Sequence, residues 1–174
     1  MLTNSDDIAK SVKALRNYGS EIKYHHPLQG FNSRLDTLQA TVLRAKLRRL
    51  DAWNEGRRQA AGRYAELLGE AAGAGKLSLP VTCDGNTHVW HLYVVRVAER
   101  DRVLADLHAA GIGAGIHYPV PIHLQGAFAD LGKGPGSYPE AERAASEILS
   151  LPLFPQITAD QQARVAEVLL ASLG

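Results

Sequence analysis

The sequence predicts an α/β (α+β) protein in which an arm and one long connecting helix precede a small α/β domain. Helical periodicity continues from residue 30 to residue 70, and a segment rich in β-branched and aromatic residues follows at residues 88–97. The hydrophobic share of 45% and the charged share of 21% are typical of a soluble globular protein. We therefore expect the arm and helix over residues 1–70 and the small domain over residues 71–174.

Composition narrows the function classes. The formal net charge of +1 gives no reason to expect nucleic acid or an anionic membrane as a partner. No apolar run approaches the roughly 20 residues that cross a bilayer, and the polar first ten residues differ from a signal peptide. The single cysteine, Cys83, excludes an intramolecular disulfide and is expected to be a small buried hydrophobe. These features predict a cytoplasmic protein.

The first 30 residues are expected to form a short helix and an arm. Residues 6–17 have apolar side chains at helical spacing, and Ser5 precedes them as a suitable N-cap. The following segment has no period and is punctuated by Pro27 and Gly30, so we expect it to be extended or looped.

The long helix is predicted to begin at Ser33, with Asp36 three residues later completing a capping box. At about 1.5 Å per residue, a helix reaching residue 70 would be on the order of 50 Å long, which exceeds the width of a small domain. Gly56 and Gly62 are its expected weak points. We expect the helix to have a charged outer face and one apolar stripe that is buried. The stripe consists of Leu35, Leu38, Val42, Leu43, Leu47, Leu50, Ala60, Tyr64, Leu67 and Leu68.

The second half predicts alternating strands and helices. Strands are expected at residues 88–97 and 112–118 with a helix at residues 99–110 between them, and the pattern leaves their pairing direction open. A helix at residues 138–149, a short strand at residues 150–155 and a final helix capped by Thr158 complete the chain.

The segment HYPVPIH, residues 117–123, is the candidate binding loop, because His117, Tyr118 and His123 stand where a strand ends and a Pro-stiffened loop begins. The alternative is a rigid surface loop with incidental histidines. No metal site is predicted, since adjacent histidines such as His25 and His26 point in different directions. Lys133 lies among glycines without the spacing of a phosphate-binding P-loop.

Asn32 is a candidate phosphate ligand. It directly precedes the predicted helix start, where unpaired backbone N–H groups and the helix dipole favour an anion. Simple capping without a ligand is the alternative, and the residues alone do not decide between the two.

Several segments occur in an order and spacing that resemble the sugar aminotransferases of the DegT/DnrJ/StrS type. They cover essentially the whole chain and read RNYGSEIKYHHPLQGFNSRLDTLQA, VWHLYVVRV, GIHYPVPIHLQ and YPEAERAASEILSLPLFP. The resemblance implies the C-terminal small domain of a fold-type I transferase that depends on pyridoxal 5′-phosphate (PLP). It also implies a homodimer that moves an amino group, usually from glutamate, onto a nucleotide-linked keto-sugar.

The same resemblance implies roles for individual residues. Asn32 would contact the phosphate of the partner subunit's PLP, and Lys23 with its loop would contribute to the partner's sugar-nucleotide pocket. His117, Tyr118 and His123 would line the pocket of their own subunit. The wording HYPVPIH favours members that aminate the sugar at C3 rather than at C4.

The resemblance also implies what is missing from this sequence. The family's Schiff-base lysine lies in a larger N-terminal domain, and neither Lys10 nor Lys13 has its context. We therefore predict no catalytic residue here, no transaminase activity of the chain alone and no PLP binding without a second copy or a separate N-terminal half. Two alternatives remain, namely a non-catalytic module for sugar-nucleotide binding or dimerisation, and a PLP-dependent dehydratase or related enzyme.

Overall fold

The computed structural model describes residues 1–174 and contains two compact units, Met1–Arg49 (unit 1) and Leu50–Gly174 (unit 2). None of the helices has the length and apolar character needed to span a membrane. The domain boundary predicted at residue 70 falls inside a helix of this chain. Because it refers to the domains of a complete enzyme, it stays a prediction. In chain order the elements are α1 Asp6–Leu15, α2 Thr37–Leu47, α3 Leu50–Gly73, β1 Leu77–Ser78, β2 Tyr93–Val97, α4 Arg100–Ala109, α5 Pro139–Glu147, β3 Ile148–Leu151 and α6 Ala159–Leu173, with 3₁₀ helices at Ile122–Leu124 and Gly126–Leu131.

Unit 1 begins as the sequence predicts, because the Ser5 side chain accepts a hydrogen bond from the Ile8 N–H and caps α1. The arm then runs antiparallel to the residues that follow α1. The Tyr18 N–H donates to the Phe31 carbonyl and the Ser33 N–H donates to the Arg16 carbonyl, each at 3.0 Å. This pairing fixes residues 31–33 as extended backbone.

The predicted start of the long helix is wrong by three residues. The N-cap is Asp36, whose Oδ1 accepts from the Leu38 N–H at 2.8 Å, while the Gln39 side chain accepts from the Asp36 N–H at 3.1 Å. Ser33 is not the cap, because the helix begins only at Thr37 and residues 33–36 precede it without helical structure. Asp36 and Gln39 therefore form the capping box.

The predicted continuous helix is two helices. The interruption lies at Arg48 and Arg49, and the expected weak points Gly56 and Gly62 both lie within α3. A Cβ on Gly56 would lie 2.6 Å from the Pro155 carbonyl oxygen, so this glycine allows α3 to approach the loop before α6. Nothing lies within 4 Å of a Cβ on Gly62.

The predicted buried stripe is correct only in α3. Tyr64 and Leu68 are fully buried there, although Leu67 is 40% exposed. Helix α2 has no buried residue at all, because no other element of unit 1 packs on its apolar side chains. Those exposed side chains are Leu38, Val42, Leu43 and Leu47, with Leu35 just before the helix and Leu50 just after it.

Unit 2 contains a three-stranded antiparallel sheet in the order β1-β2-β3, in which Leu77 pairs with Val97 and Val95 pairs with Leu149. The strand predicted at residues 88–97 is confirmed only for Tyr93–Val97. The strand predicted at residues 112–118 is wrong, since that segment makes a single bridge between Gly115 and Ser150. Glycines at positions 111, 113 and 115 occupy every second place at its start, so the segment offers few side chains for sheet packing.

The core of unit 2 lies between the sheet and helices α3, α4 and α6. The Tyr64 and Tyr93 rings lie 5.1 Å apart in it, and the Tyr64 hydroxyl donates to the Pro152 carbonyl at 2.9 Å. Burial raises the pKa of the Tyr93 hydroxyl to about 12. Cys83 is exposed in the loop before β2, so its predicted burial is wrong. Residues 81–89 around it are all exposed, so nothing encloses the thiol.

Candidate functional site

A cleft of about 580 Å³ lies in unit 2 beside helix α5. This volume is within the range of small-molecule sites. Most of the lining is aliphatic, and the few polar side chains come from the loop that precedes α5 and from the predicted binding loop. These polar residues are Tyr118, His123, Lys133 and Tyr138.

His123 forms part of the wall of this cleft. It lies in the short 3₁₀ helix Ile122–Leu124, which follows Pro121 and turns the imidazole inward, so that only 9% of the residue is exposed. Its Nε2 lies 2.9 Å from Oε1 of Glu142, and the Tyr138 ring meets the imidazole edge-on at 4.9 Å. Glu142 and Tyr138 thus fix the ring of His123, so His123 can support the wall of the cleft.

Glu142 anchors the glycine-rich loop over the cleft, a role that the sequence analysis missed. Both carboxylate oxygens accept from the Gly136 N–H at 2.9 Å, and one also accepts from the Tyr138 N–H at 3.3 Å. The Gly136 hydrogen bond, followed by the one from His123, lowers the pKa of the Glu142 carboxyl below its ordinary value. Its place in the first turn after Pro139, where the helix dipole favours an acid, is the signal that could have identified it.

His117 is oriented by a buried serine. Its Nδ1 lies 2.9 Å from Oγ of Ser150, which is only 4% exposed and lies on β3. The backbone of Ser150 also exchanges two hydrogen bonds with Gly115, at 2.7 and 3.1 Å. Because Nδ1 is engaged, Nε2 is the ring nitrogen left to face a ligand. Ser150 is 33 residues from His117, and nothing in the sequence indicated the pair.

The structure therefore brings Tyr118 and His123 to one cleft, while His117 stands next to Tyr118 but does not line it. The rings of His117 and Tyr118 lie 5.5 Å apart at 77°, and Tyr118 is 74% exposed. His88 and His91 fall within the strand predicted at residues 88–97, but they lie in the loop before β2. No group of three His, Cys, Asp or Glu side chains is placed to hold a metal ion.

Lys23 belongs to unit 1 and stands in a tight turn. The His25 N–H donates to the Ile22 carbonyl at 2.9 Å across that turn, and the Lys23 ammonium lies 4.9 Å from the centre of the Tyr24 ring. The residue is exposed and forms no ion pair. It is thus available to a ligand or to another polypeptide.

Asn32 does not stand at a helix start, which corrects the geometric part of the sequence argument. It lies opposite Asn17 in the arm pairing, is exposed, and its side chain makes no hydrogen bond. The helix begins after Asp36, whose carboxylate already accepts the Leu38 N–H of its first turn. Any anion at Asn32 would therefore be held by the amide itself, without the help of the α2 N-terminus.

The residues of this chain do not form a complete PLP cradle. Such a cofactor needs a lysine that can be desolvated, an acid facing its ring nitrogen and several donors for its phosphate. No Asp or Glu is buried, and Asn32 is a single amide. All lysines are exposed, namely Lys10, Lys13, Lys23, Lys46, Lys76 and Lys133.

Comparison with known proteins identifies the family. Residues 1–170 match the model of the DegT/DnrJ/EryC1/StrS aminotransferase family, and the chain belongs to this family. The predicted family and its cofactor, PLP, are confirmed at this level, since structural relatives contain the cofactor. The mixed helix-and-sheet fold class agrees with these relatives, while its position as the C-terminal domain of a larger enzyme stays a prediction.

The relatives are considerably longer than this chain. It is 45% identical over 167 residues to a pleiotropic regulatory protein of Geobacillus stearothermophilus, covering 96% of this chain and 45% of that protein. It is equally similar to a dTDP-3-amino-3,4,6-trideoxy-alpha-D-glucose transaminase of Streptomyces venezuelae, with 45% identity over 167 residues covering 96% of this chain and 43% of that enzyme. A crystal structure of S. venezuelae DesV in complex with a ketimine intermediate superposes with a TM-score of 0.88 at 43% identity, covering 96% of this chain and 44% of that one. The chain thus spans less than half the length of these relatives.

Proposed function

We propose that this chain supplies the sugar-nucleotide-binding part of a PLP-dependent aminotransferase, which transfers an amino group from an amino acid, glutamate by preference, to a nucleotide-linked keto-sugar. The observation that carries the proposal is the His117–Ser150 pair beside a ligand-sized cleft, in a chain of this family. The 3-amino sugar in the name of the S. venezuelae relative supports amination at C3.

The contribution of the chain is to bind and orient the substrate. His117 has one ring nitrogen fixed by Ser150 and the other available, so it can donate to or accept from a sugar oxygen close to the reacting carbon. Tyr118 offers an exposed hydroxyl next to it. His123 and Glu142 hold the walls of the neighbouring cleft in place. No step of amino transfer is assigned to these residues alone.

We propose that the Schiff-base lysine comes from another region of polypeptide, because every lysine here is exposed. The exposed apolar side chains of α2, such as Leu38 and Leu47, support packing of unit 1 against a larger domain or a second copy. Asn32 and Lys23 lie exposed in the same unit, which supports their proposed reach to the cofactor phosphate and the sugar nucleotide of a partner subunit.

A chimera tests the proposal. The segment of the S. venezuelae transaminase that matches this chain is replaced by this chain, so that the rest of that enzyme supplies the lysine and most of the PLP cradle. We expect the chimera to aminate a dTDP-linked 3-keto-sugar with glutamate as donor. Changing His117→Ala should lower kcat/KM at least about 100-fold, and Asn32→Ala should weaken PLP retention without unfolding the protein.

Two outcomes would contradict the proposal. A chimera that folds, retains PLP and binds the sugar nucleotide but transfers no amino group would favour the non-catalytic binding module instead. If the purified chain alone gave a stoichiometric visible band of lysine-bound PLP, removable by borohydride, the proposed external lysine would be wrong.

A further inference from the structure

We infer that the cleft beside α5 holds the nucleoside diphosphate end of the substrate, with Lys133 as the ligand of the diphosphate. This inference rests on the proposed function and extends it, because it assigns a part of the substrate and a residue to a site of unit 2. Lys133 lies in glycine-rich surroundings that lack the spacing of a P-loop, so its sequence context alone predicts no phosphate ligand.

The lining of the cleft suits a base better than a sugar. Its floor and walls are largely aliphatic, with Val120, Leu131, Ala144 and Ile148 among them. A hexose buried there would leave several hydroxyls without partners, at a cost of about 1–3 kcal/mol for each. A nucleobase has two apolar faces and confines its polar groups to its edge, so it can occupy such a surface with few unpaired groups.

Two tyrosines give the base an aromatic surface. Tyr118 and Tyr138 both line the cleft and remain substantially exposed, at 74% and 49%. Exposed rings at the mouth of an apolar cleft are available to stack on a planar ligand, whereas a buried ring such as that of Tyr93 is not.

Lys133 is the only lysine or arginine among the lining residues. It makes neither a hydrogen bond nor an ion pair within the chain, and it is exposed between Gly132 and Gly134. His123 and Glu142 do not compete for a ligand, because they are engaged with each other and with the loop backbone. An anion that enters the cleft therefore meets one unpaired cation and no free carboxylate among the residues lining it.

The loop that carries Lys133 is anchored at its far end. Glu142 accepts from the Gly136 N–H through both oxygens at 2.9 Å, which ties the loop to the first turn of α5. Lys133 therefore reaches the cleft from a restrained segment. His117 lies next to Tyr118 in sequence but outside the cleft, so a base and diphosphate in the cleft leave the sugar to the His117 side.

Calorimetric titration of the purified full chain tests the inference. The ligands are dTDP and UDP, with thymidine and uridine as phosphate-free counterparts. We expect a diphosphate to bind more tightly than its nucleoside, and added salt to weaken only the diphosphate. Lys133→Ala should weaken diphosphate binding about tenfold, equivalent to about 1.4 kcal/mol, and leave the nucleoside unchanged. Lys133→Arg should restore most of the affinity.

Two further variants locate the site. Lys76→Ala removes an exposed lysine of unit 2 that lies outside the cleft and should leave all affinities unchanged. Ala141→Phe places a ring in the cleft from an exposed position on α5 and should abolish binding of diphosphate and nucleoside alike, with an unchanged circular dichroism spectrum as the check on folding.

The inference is overturned if neither diphosphate binds the chain, if Lys133→Ala binds as tightly as the parent, or if Lys76→Ala weakens binding as much as Lys133→Ala. Its failure is separable from failure of the proposed function. An inactive chimera alongside the expected titrations would reject amino transfer and keep the nucleotide site. An active chimera whose KM for the sugar nucleotide is unchanged by Lys133→Ala would reject the nucleotide site and keep amino transfer.

Discussion

Each of the two units of this chain is stabilised by a different kind of contact. Unit 2 encloses large apolar side chains such as Leu68, Val95 and Leu169, all at 0% exposure. Unit 1 buries a single hydrophobic side chain, Ala14, and is instead closed by contact between the backbones of Gly19 and Gly30. Unit 2 therefore has its own hydrophobic driving force, whereas unit 1 leaves its large apolar side chains for another surface to cover.

The candidate site residues follow the same division. In unit 2, His117 and His123 each have a defined partner within the chain, Ser150 and Glu142. In unit 1, the Asn32 side chain makes no hydrogen bond and Lys23 contacts only the ring of its neighbour Tyr24. The side chains in unit 2 are thus held in place within the chain itself, whereas those in unit 1 are available to a second polypeptide.

The largest expected effect is on the core of unit 2. Leu68→Ala should lower the free energy of unfolding by about 2–5 kcal/mol, because it removes a fully buried side chain and leaves a cavity. Urea unfolding followed by tryptophan fluorescence measures this directly, since Trp53 and Trp90 both lie in unit 2. Leu67→Ala, one residue earlier and 40% exposed, is the matched control and should cost much less.

The corresponding change in unit 1 is Leu38→Ala, at a side chain that is 78% exposed. We expect it to alter stability by less than about 0.5 kcal/mol in far-UV circular dichroism melts of the chain. A loss comparable to that of Leu68→Ala would show that α2 is packed in solution, and the contrast between the units would fail.

Gly30→Ala should open unit 1 and leave unit 2 intact. A Cβ at this position would lie 2.0 Å from the Gly19 nitrogen and 2.7 Å from the Leu15 carbonyl oxygen, and backbone atoms cannot yield as a side chain can. We expect the amide protons of Tyr18 and Ser33 to lose protection by more than about 2 kcal/mol in hydrogen exchange, while those of β2 keep theirs.

Gly62→Ala is the control for that experiment. Nothing lies within 4 Å of the added methyl group, and alanine is the better helix former, so the variant should stabilise unit 2 by up to about 1 kcal/mol. Retained protection of Tyr18 and Ser33 in Gly30→Ala would contradict the view that backbone contact holds unit 1 together.

What the sequence predicted correctly was local. Ser5 caps α1 and Thr158 caps α6 through bonds that span three residues, so both could be identified from adjacent residues. The choice between Ser33 and Asp36 was wrong although the correct cap also has a local signal, since Gln39 follows Asp36 by three residues and completes its capping box.

In the candidate site, the contacts that hold the predicted residues in place join positions that are distant in sequence. The residues of HYPVPIH could be selected from their chemistry, but their supports could not. Ser150 is 33 residues from His117 and Glu142 is 19 residues from His123, so neither pair produces a periodic or adjacent signal. The strand predicted at residues 112–118 is reduced to one bridge between Gly115 and Ser150, a contact that also joins residues distant in sequence.

Ser150→Ala tests whether the internal partner of His117 matters for function. In the chimera we expect kcat/KM to fall about tenfold, the effect of one lost hydrogen bond of about 1.4 kcal/mol. Ser146→Ala, an exposed serine of α5, is the control. A fall in stability with no change in kcat/KM would reduce Ser150 to a packing role.

The smallest expected effect concerns the charge of Glu142. Its pKa is lowered in the folded chain, chiefly by the Gly136 N–H, so its contribution to stability is complete above its ordinary value of 4.5 and is lost as the pH falls through the lowered value. Glu142→Gln should therefore be less stable than the parent near pH 6, and the difference should shrink below about pH 4.5. Urea midpoints from pH 3 to pH 7, read from tryptophan fluorescence, measure this.

Glu66→Gln, at an exposed position of α3 that forms no ion pair, is the control and should not change the pH dependence. The predicted difference for Glu142 is small because its carboxylate remains partly accessible to water, which screens it. If the difference between Glu142→Gln and the parent is the same at pH 3 and pH 6, the hydrogen bonds of Glu142 matter but its charge does not. In that case the loop carrying Lys133 would stay anchored at low pH, because the hydrogen bonds of Glu142 would not depend on its negative charge.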